Sequence, residues 1–245
     1  MRSYAIGDIH GHLDKLQALH GLIAADRAAC GDKGEAPVIH IGDLVDRGPD
    51  SRGVIQFLID GQARGENWIT LRGNHDRMFR GFMADPDYHD PRLRPDLYWL
   101  HERLGGADTL LSYGVKGAGE RFLHDLHADA RRAMPKAHLD FLDALPNYHL
   151  RGDCLFVHAG IRPGVGLHDQ REDDYLWIRK EFLEDTRDHG ALVVHGHTPV
   201  EVVTHHGNRL NIDTGAGYGK PMSAVVIEGR EVFQLTARGR IRIAP

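Results

Sequence analysis

The sequence predicts an α/β fold with a largely parallel sheet, and two observations carry that prediction. Short apolar runs alternate with helical patterns in the first third of the chain, as they do in βαβ units. Polar clusters follow these runs, at the points where strands of open α/β sheets present ligand-binding groups. The 245 residues can bury a substantial core, and we expect a single domain over residues 1–245.

The first elements follow from local periodicity. The apolar run 4–8 predicts a strand, and leucines recurring at helical spacing between Leu13 and Ile23 predict the first helix. Residues 36–43 and 67–73 predict two further strands, with a helix over 51–64 between them. Each of these strands ends in polar residues, which is why the strand ends are the candidate site.

The rest of the chain follows a different pattern. Residues 75–146 are predicted to be mostly helical, and the prolines and charges of 85–96 predict a loop there, either a lid or a linker. A strand at 155–161, a helix over 173–185 and a strand at 191–198 come next. Four short strands joined by tight turns then predict antiparallel hairpins: EVVTHH (201–206), RLNIDT (209–214), SAVVIEG (223–229) and EVFQLT (231–236).

Composition excludes several classes of function. A net charge of −5 gives no basic footprint, so we expect no nucleic-acid partner. Two cysteines, Cys30 and Cys154, are too few for a disulfide framework and are typical of a reducing compartment. The first strand begins two residues after Met1, and no apolar run reaches membrane-spanning length. We therefore expect a cytoplasmic protein with no membrane partner.

Five polar clusters follow five apolar runs. They are GDIHG (7–11), GDLVDRG (42–48), RGNHD (72–76), VHAG (157–160) and VHGHT (194–198). A single Asp or His after a strand is commonly a turn former or a helix cap, so each cluster alone is a weak signal. Together they predict one site, because the carboxyl ends of neighbouring parallel strands meet at one edge of a sheet.

These clusters carry carboxylates, imidazoles and one amide, without thiolates, which suits a divalent metal such as manganese, iron or zinc. We expect two ions, with manganese first among the candidates. Asp8 and His10 reach one ion, Asn74, His158 and His197 hold the other, and Asp43 bridges both. Two ions about 3.5–4 Å apart form the clamp used for displacement at phosphorus, and they lower the pKa of a bound water toward ~7.

The ordered motifs GDxHG, GDxxDRG and GNH(D/E) occur here as GDIHG, GDLVDRG and GNHD, followed by LFVHAG and VHGHTP. Through these motifs and their order, the chain resembles the metal-dependent phosphoprotein phosphatases within the calcineurin-like metallophosphoesterases. The resemblance spans roughly residues 3–235. LWIRKEF and NIDTGA look most like the small bacterial and phage members. The resemblance implies a four-layer α/β/β/α sandwich with two mixed sheets and a two-metal site at the strand carboxyl ends.

The resemblance also implies roles for individual residues. The six metal ligands are those given above, with His197 preferred to His195, which is then structural or adjacent to the ligands. His75 matches the general acid that protonates the leaving oxygen, and Asp46 matches the carboxylate that orients it. The phosphate clamps match Arg47 and Arg179, since a guanidinium binds two phosphate oxygens at once.

Simpler interpretations exist for some of these residues. Asp46 and Arg47 are also consistent with a surface ion pair at a turn. Arg179 falls in a predicted amphipathic helix, where a solvated arginine is the simpler interpretation. His40 sits inside a strand and is expected to be packed, and Tyr218 is a candidate substrate contact.

Three functions fit the motifs. The first is a phosphatase acting on phosphoserine or phosphothreonine of proteins, by direct attack of a hydroxide held by the two metals. The second is a symmetrical bis(5'-nucleosyl)-tetraphosphate hydrolase, a class that shares GNHD and GDLVxRGP but carries alanine at the position of Asp46. The third is a non-catalytic phosphate-binding module. Asp46 favours the first, so the expected partner is a phosphoprotein or a small phosphorylated substrate.

Overall fold

Two mixed β-sheets form the centre of the fold in the computed structural model, which describes residues 1–245. The first sheet runs, edge to edge, β11 (Gly239–Ile243), β10 (Glu231–Thr236), β9 (Ala224–Glu228), β1 (Arg2–Ile6), β2 (Val38–His40) and β3 (Trp68–Thr70). The second runs β4 (Tyr148–Arg151), β5 (Cys154–Val157), β6 (Leu192–His195), β8 (Arg209–Asn211) and β7 (Thr204–His205).

Eight α-helices accompany the sheets. They are α1 (Leu13–Cys30), α2 (Ser51–Ala63), α3 (Asn74–Ala84), α4 (Gly106–Ser112), α5 (Leu123–Ala133), α6 (Lys136–Asp143), α7 (Glu172–Trp177) and α8 (Lys180–Leu183). The predicted parallel pairing is confirmed for β1, β2 and β3 in the first sheet, and β5, β6 and β8 are also parallel. Antiparallel strands complete both sheets.

The two-residue period of the strands divides the core into layers. In β1, Tyr4 and Ile6 pack into the cluster formed with helices α1 to α6, whereas Ala5 faces the second sheet. On the second sheet, Leu155 faces outward and packs with Phe182 of α8. The order is therefore helices, sheet, sheet, helices, and the four-layer sandwich implied by the family resemblance is confirmed.

The helix predicted over 173–185 is interrupted, and the placement of Arg179 inside it was wrong. Ile178 adopts an extended backbone with φ −59° and ψ 142°, and Arg179 lies in the break between α7 and α8. Leu176 and Ile178 are both buried in the same apolar cluster. Positions two apart point to opposite sides of a helix, so burying both on one side requires the chain to leave the helix here.

The sequence also failed to predict two edge strands and the full length of one loop. β4 and β11 consist of polar and apolar residues in alternation, half exposed, so neither forms an apolar run. The irregular segment after α3 extends over residues 85–105, beyond the predicted 85–96. The predicted hairpins form, but β7 and β8 belong to the second sheet while β9 to β11 extend the first.

Candidate active site

Left-handed backbone conformations mark the site. Five non-glycine residues have positive φ: His10 (46°), Asp43 (49°), Asp46 (74°), Arg47 (68°) and His197 (66°). Such residues are uncommon, each costs about 1–3 kcal/mol, and they persist only where the surrounding structure fixes them. All five are among the ten residues singled out from the sequence, so the strained backbone of this protein is confined to the predicted site.

A cavity of about 180 Å³ lies at this rim. Eight of the ten predicted residues line it: Asp8, His10, Asp43, Arg47, Asn74, His75, Arg179 and His197. The other two, Asp46 and His158, are completely buried and contact residues that line it. The structure therefore brings together every residue that the sequence assigned to the site.

One group of candidate ligands surrounds His10. Its Nδ1–H donates to the carbonyl oxygen of Val45 at 2.9 Å, which leaves Nε2 with its lone pair 3.5 Å from Asp43 Oδ2. The carboxylate of Asp8 accepts a hydrogen bond from the backbone N–H of His197 at 3.1 Å. A backbone hydrogen bond that fixes the ring orientation is the usual companion of a metal-bound histidine.

The second group surrounds Asn74. His158 Nδ1–H donates to the carbonyl oxygen of Ile41 at 3.0 Å, so the lone pair of Nε2 faces Asn74 Oδ1 at 2.9 Å. His197 Nδ1 also lies 2.9 Å from Asn74 Oδ1. Asp43 Oδ1 is 3.4 Å from His158 Nε2. Asp43 thus offers one carboxylate oxygen to each group, the arrangement expected of a bridging ligand.

The charge state of these buried groups fits a cation. Burial raises the pKa of Asp8 well above its usual range, with Asp213 and Asp43 adding repulsion, and burial raises the pKa of Asp213 to about 6. Burial lowers the pKa of His10, His158 and His197, so these imidazoles stay neutral and keep a lone pair to donate. Buried carboxylates and neutral imidazoles are stabilised by divalent ions.

Asp46 and His75 form a hydrogen-bonded pair. His75 Nδ1–H donates to Asp46 Oδ2 at 2.6 Å. Trp99 Nε1–H donates to the same oxygen at 2.9 Å, and the Thr109 hydroxyl donates to Asp46 Oδ1 at 2.7 Å. Asp46 is fully buried, so the interpretation of a surface ion pair with Arg47 was wrong.

Both arginines implied as phosphate clamps reach the cavity. Arg47 Nη1 donates to His10 Nε2 at 2.9 Å, and its guanidinium carbon lies 4.7 Å from the ring centre of Tyr218. Arg179 Nε donates to His197 Nε2 at 3.0 Å. The break between α7 and α8 therefore places Arg179 at the site rather than on a solvated helix face.

Sequence reasoning missed four residues of the site. Asp76 accepts hydrogen bonds from the backbone N–H groups of Leu44 (2.9 Å) and Gly73 (2.8 Å), joining two of the motif loops, and burial raises its pKa to about 7. Asp213 follows β8 as a polar strand end, and that signal could have identified it. Trp99 and Thr109 come from the irregular segment and α4, where no motif marks them.

His195 lies outside both ligand groups, as the preference for His197 implied. It is fully buried at the end of β6, its Nδ1 lies 3.1 Å from the Gly196 carbonyl oxygen, and its ring meets Phe182 edge-on. Two clusters of His and Asp side chains have ligand atoms close enough to hold one ion, and His195 belongs to neither. The clusters are His10, Asp43 and His75, and Asp43, His158 and His197.

Comparison with known proteins agrees with this geometry. A model of the calcineurin-like phosphoesterase family matches residues 1–225. The chain is 25% identical over 237 residues to bis(5'-nucleosyl)-tetraphosphatase PrpE [asymmetrical] of Bacillus subtilis (strain 168), covering 89% of this chain and 87% of that protein. It is 29% identical to the symmetrical bis(5'-nucleosyl)-tetraphosphatase of Neisseria gonorrhoeae (strain NCCP11945), covering 98% of each.

The same fold also occurs in a phosphatase whose name indicates a different substrate. A cold-active protein tyrosine phosphatase superposes with a TM-score of 0.63 at 19% identity, covering 98% of this chain and 78% of that one. At that identity the likeness concerns the fold alone. The family model spans most of the chain, and it includes the carboxylate and imidazole clusters described above. The chain is thus a metal-dependent phosphoric-ester hydrolase that belongs to the calcineurin-like phosphoesterases.

Proposed function

We propose that the protein hydrolyses a phosphate ester or anhydride at this cavity with two divalent ions. The observation that carries the proposal is the His75–Asp46 pair together with two clusters of possible metal ligands that share Asp43, the first of which also contains His75. The first ion would be held by Asp8, His10 and Asp43, and the second by Asp43, Asn74, His158 and His197. When bound, the ions supply Lewis-acid polarisation of the phosphate and make a water molecule more acidic. Manganese is the first candidate, and iron or zinc suit the same donors.

The arginines would bind the phosphate. Arg47 and Arg179 line the cavity, and each directs one N–H at a histidine there. With an ion bound to His10 Nε2, the Arg47 N–H would be free to turn to the phosphate. A guanidinium offers several N–H donors in one plane, so each arginine can also bind phosphoryl oxygens. Their positive charge would balance the charge that accumulates on these oxygens during the reaction.

His75 would donate the proton to the leaving oxygen. Its Nδ1–H is held by Asp46 at 2.6 Å, which leaves Nε2 as the nitrogen available to the substrate. The buried carboxylate of Asp46 keeps the ring oriented toward the substrate. Trp99 and Thr109 in turn hold Asp46 through its two carboxylate oxygens.

Two substrate classes are proposed. The sequence favours phosphoserine or phosphothreonine of proteins, because Asp46 stands where the symmetrical tetraphosphatases usually have alanine. The second candidate is a bis(5'-nucleosyl) tetraphosphate, which is favoured by the names of the relatives from Bacillus subtilis and Neisseria gonorrhoeae.

The proposed location is the cytoplasm. Cys30 and Cys154 are both free thiols, which fits a reducing compartment. No helix combines the length and the apolar character that crossing a bilayer requires.

One set of assays tests the proposal. Metal-free protein would be supplemented with manganese and given p-nitrophenyl phosphate, a phosphoserine peptide and diadenosine tetraphosphate in parallel. Preferred turnover of the peptide supports the protein phosphatase, and preferred turnover of the dinucleotide supports the second candidate. If manganese, iron and zinc all fail to support turnover of any substrate, the hydrolase proposal is wrong and the non-catalytic phosphate-binding module takes its place.

A further inference from the structure

A second cavity adjoins the metal site and is lined by arginines. This arginine groove has a volume of about 550 Å³. It is lined by Arg47, Arg92, Leu93, Arg94, Leu97, Arg103, Leu104, Trp177, Arg179 and Tyr218. Five of these ten residues also line the catalytic cavity: Arg47, Leu104, Trp177, Arg179 and Tyr218. The two cavities are therefore continuous, and one ligand can occupy both.

The charge of the groove is one-sided. Five of its lining residues are arginines and none is acidic, although the whole chain carries a net charge of −5. Arg94 is paired with Asp96, but Arg92 and Arg103 are exposed and form no ion pair. Positive charges that line one cavity repel one another unless an anion lies between them. The groove is therefore electrostatically suited to a polyanion.

Two donors at the boundary between the cavities also lack acceptors. Arg47 Nε and Trp177 Nε1 are buried and have no hydrogen-bond partner. Buried N–H groups are nearly always satisfied, and leaving one unsatisfied costs about 1–3 kcal/mol. Acceptor oxygens placed between the metal site and the groove would satisfy both donors.

We propose that the arginine groove binds the phosphate chain beyond the phosphorus attacked at the metal site, and so selects nucleoside oligophosphates. The inference rests on the proposed function and, of its two candidate substrate classes, selects the second. An oligophosphate presents only acceptor oxygens at high charge density, which matches the five guanidinium groups that line the groove. A phosphoserine ester has a single phosphate, for which Arg47 and Arg179 already suffice. An extended peptide would instead need acceptors for its own N–H groups.

The groove also offers a surface for a nucleobase. Tyr218 is 62% exposed, and its ring lies beside the Arg47 guanidinium. Trp177 is half-buried on the same boundary. Stacking of a base on an exposed aromatic ring contributes about 1–3 kcal/mol and tolerates any base. The groove thus selects for the phosphate chain more strictly than for the base.

Binding of two inorganic anions tests the proposal without requiring turnover. The dissociation constants of tripolyphosphate and orthophosphate would be measured by calorimetry on manganese-loaded protein, with free manganese and ionic strength held constant. In the R92Q/R103Q variant, the preference for tripolyphosphate over orthophosphate should fall about 10-fold or more, because charged hydrogen bonds to the outer phosphates are lost. The matched control is R64Q/R131Q, which removes two exposed, unpaired arginines that line neither cavity.

The outcomes separate this proposal from the one on which it rests. An equal preference in the wild type, R92Q/R103Q and R64Q/R131Q overturns the groove proposal, even if the protein hydrolyses phosphate esters. A loss of preference confined to R92Q/R103Q supports it, even if no substrate is turned over. A larger R92Q/R103Q effect on an aspartate-rich phosphopeptide than on tripolyphosphate overturns it in favour of an acidic peptide.

Discussion

Two pairs of histidines meet inside this protein, and they differ in what surrounds them. His40, His158 and His197 lie at or just after strand ends, whereas His20 is half-buried on α1. In the packed pair, His20 and His40, the Nε2 atoms are 3.0 Å apart. The ring of Trp68 lies 4.3 Å from that of His20, centre to centre. In the site pair, His158 and His197, both rings meet Asn74 Oδ1 at 2.9 Å.

The comparison shows that burial of a histidine does not by itself indicate a ligand. Burial lowers the pKa of His40 as it lowers that of His158. What distinguishes the site pair is the carboxylate of Asp43, 3.4 Å from His158, and the left-handed backbone of His197. A neutral imidazole among aromatic rings stabilises the core, whereas one beside carboxylates is placed to bind a cation.

The largest expected effect comes from replacing one histidine of each pair by asparagine. His158→Asn should lower metal affinity and turnover by more than about 100-fold, since even groups that only orient ligands contribute 10- to 100-fold. His40→Asn should keep the metal and lower the free energy of unfolding by about 1–3 kcal/mol. Metal content by mass spectrometry and turnover of p-nitrophenyl phosphate would be measured for both. Equal metal loss in the two variants would remove the distinction between the pairs.

His75 tests whether ligand and non-ligand histidines can be told apart inside the site itself. Its ring lies 4.8 Å from that of the proposed ligand His10, centre to centre. His75→Asn should keep both metals and lose about 10²- to 10⁴-fold in turnover, the usual contribution of a general acid. A leaving group that needs no proton, such as p-nitrophenolate, should be affected less than an alkyl phosphate ester. Loss of metal in this variant would mean that His75 is a ligand.

The packed pair should make the metal-free protein sensitive to acid. Burial, with Arg27 adding repulsion, lowers the pKa of His20 from 6.5 to about 4. Because the fold favours the neutral ring, this stability is complete above pH 6.5 and is lost as the pH falls toward 4, by at most about 3 kcal/mol. Urea unfolding in a chelator at several pH values would show a smaller decrease for His20→Gln. Parallel pH profiles for the two proteins would contradict the assignment.

The smallest expected effect concerns the support of Asp46. Thr109→Val keeps the shape of the side chain but removes the hydroxyl that donates to Asp46 Oδ1 at 2.7 Å. Loss of a hydrogen bond to a buried carboxylate should lower kcat about 10-fold, or about 1.4 kcal/mol. KM and metal content should change little, and the pH dependence of kcat should shift. A change in KM alone would indicate a role in substrate binding.

The sequence predicted the strand-end residues because glycines and charges after apolar runs report directly on where strands end. It predicted His197 over His195 from its neighbours in GHTP. It could not predict Trp99 or Thr109, which reach Asp46 across 53 and 63 residues of chain and carry no local signal. The break that releases Arg179 depends on the burial of Ile178, which is decided by tertiary packing. The same limit applies to the arginine groove, whose residues come from four separated segments.

The five left-handed residues have a consequence for the evolution and engineering of this protein. At about 1–3 kcal/mol each, their combined strain is comparable to the whole net stability of a typical domain, roughly 5–15 kcal/mol. Glycine adopts this conformation readily, so replacing the half-buried Arg47 by glycine relieves backbone strain while deleting a side chain of the site. At position 47, folding stability and phosphate binding thus place opposite demands on the residue type.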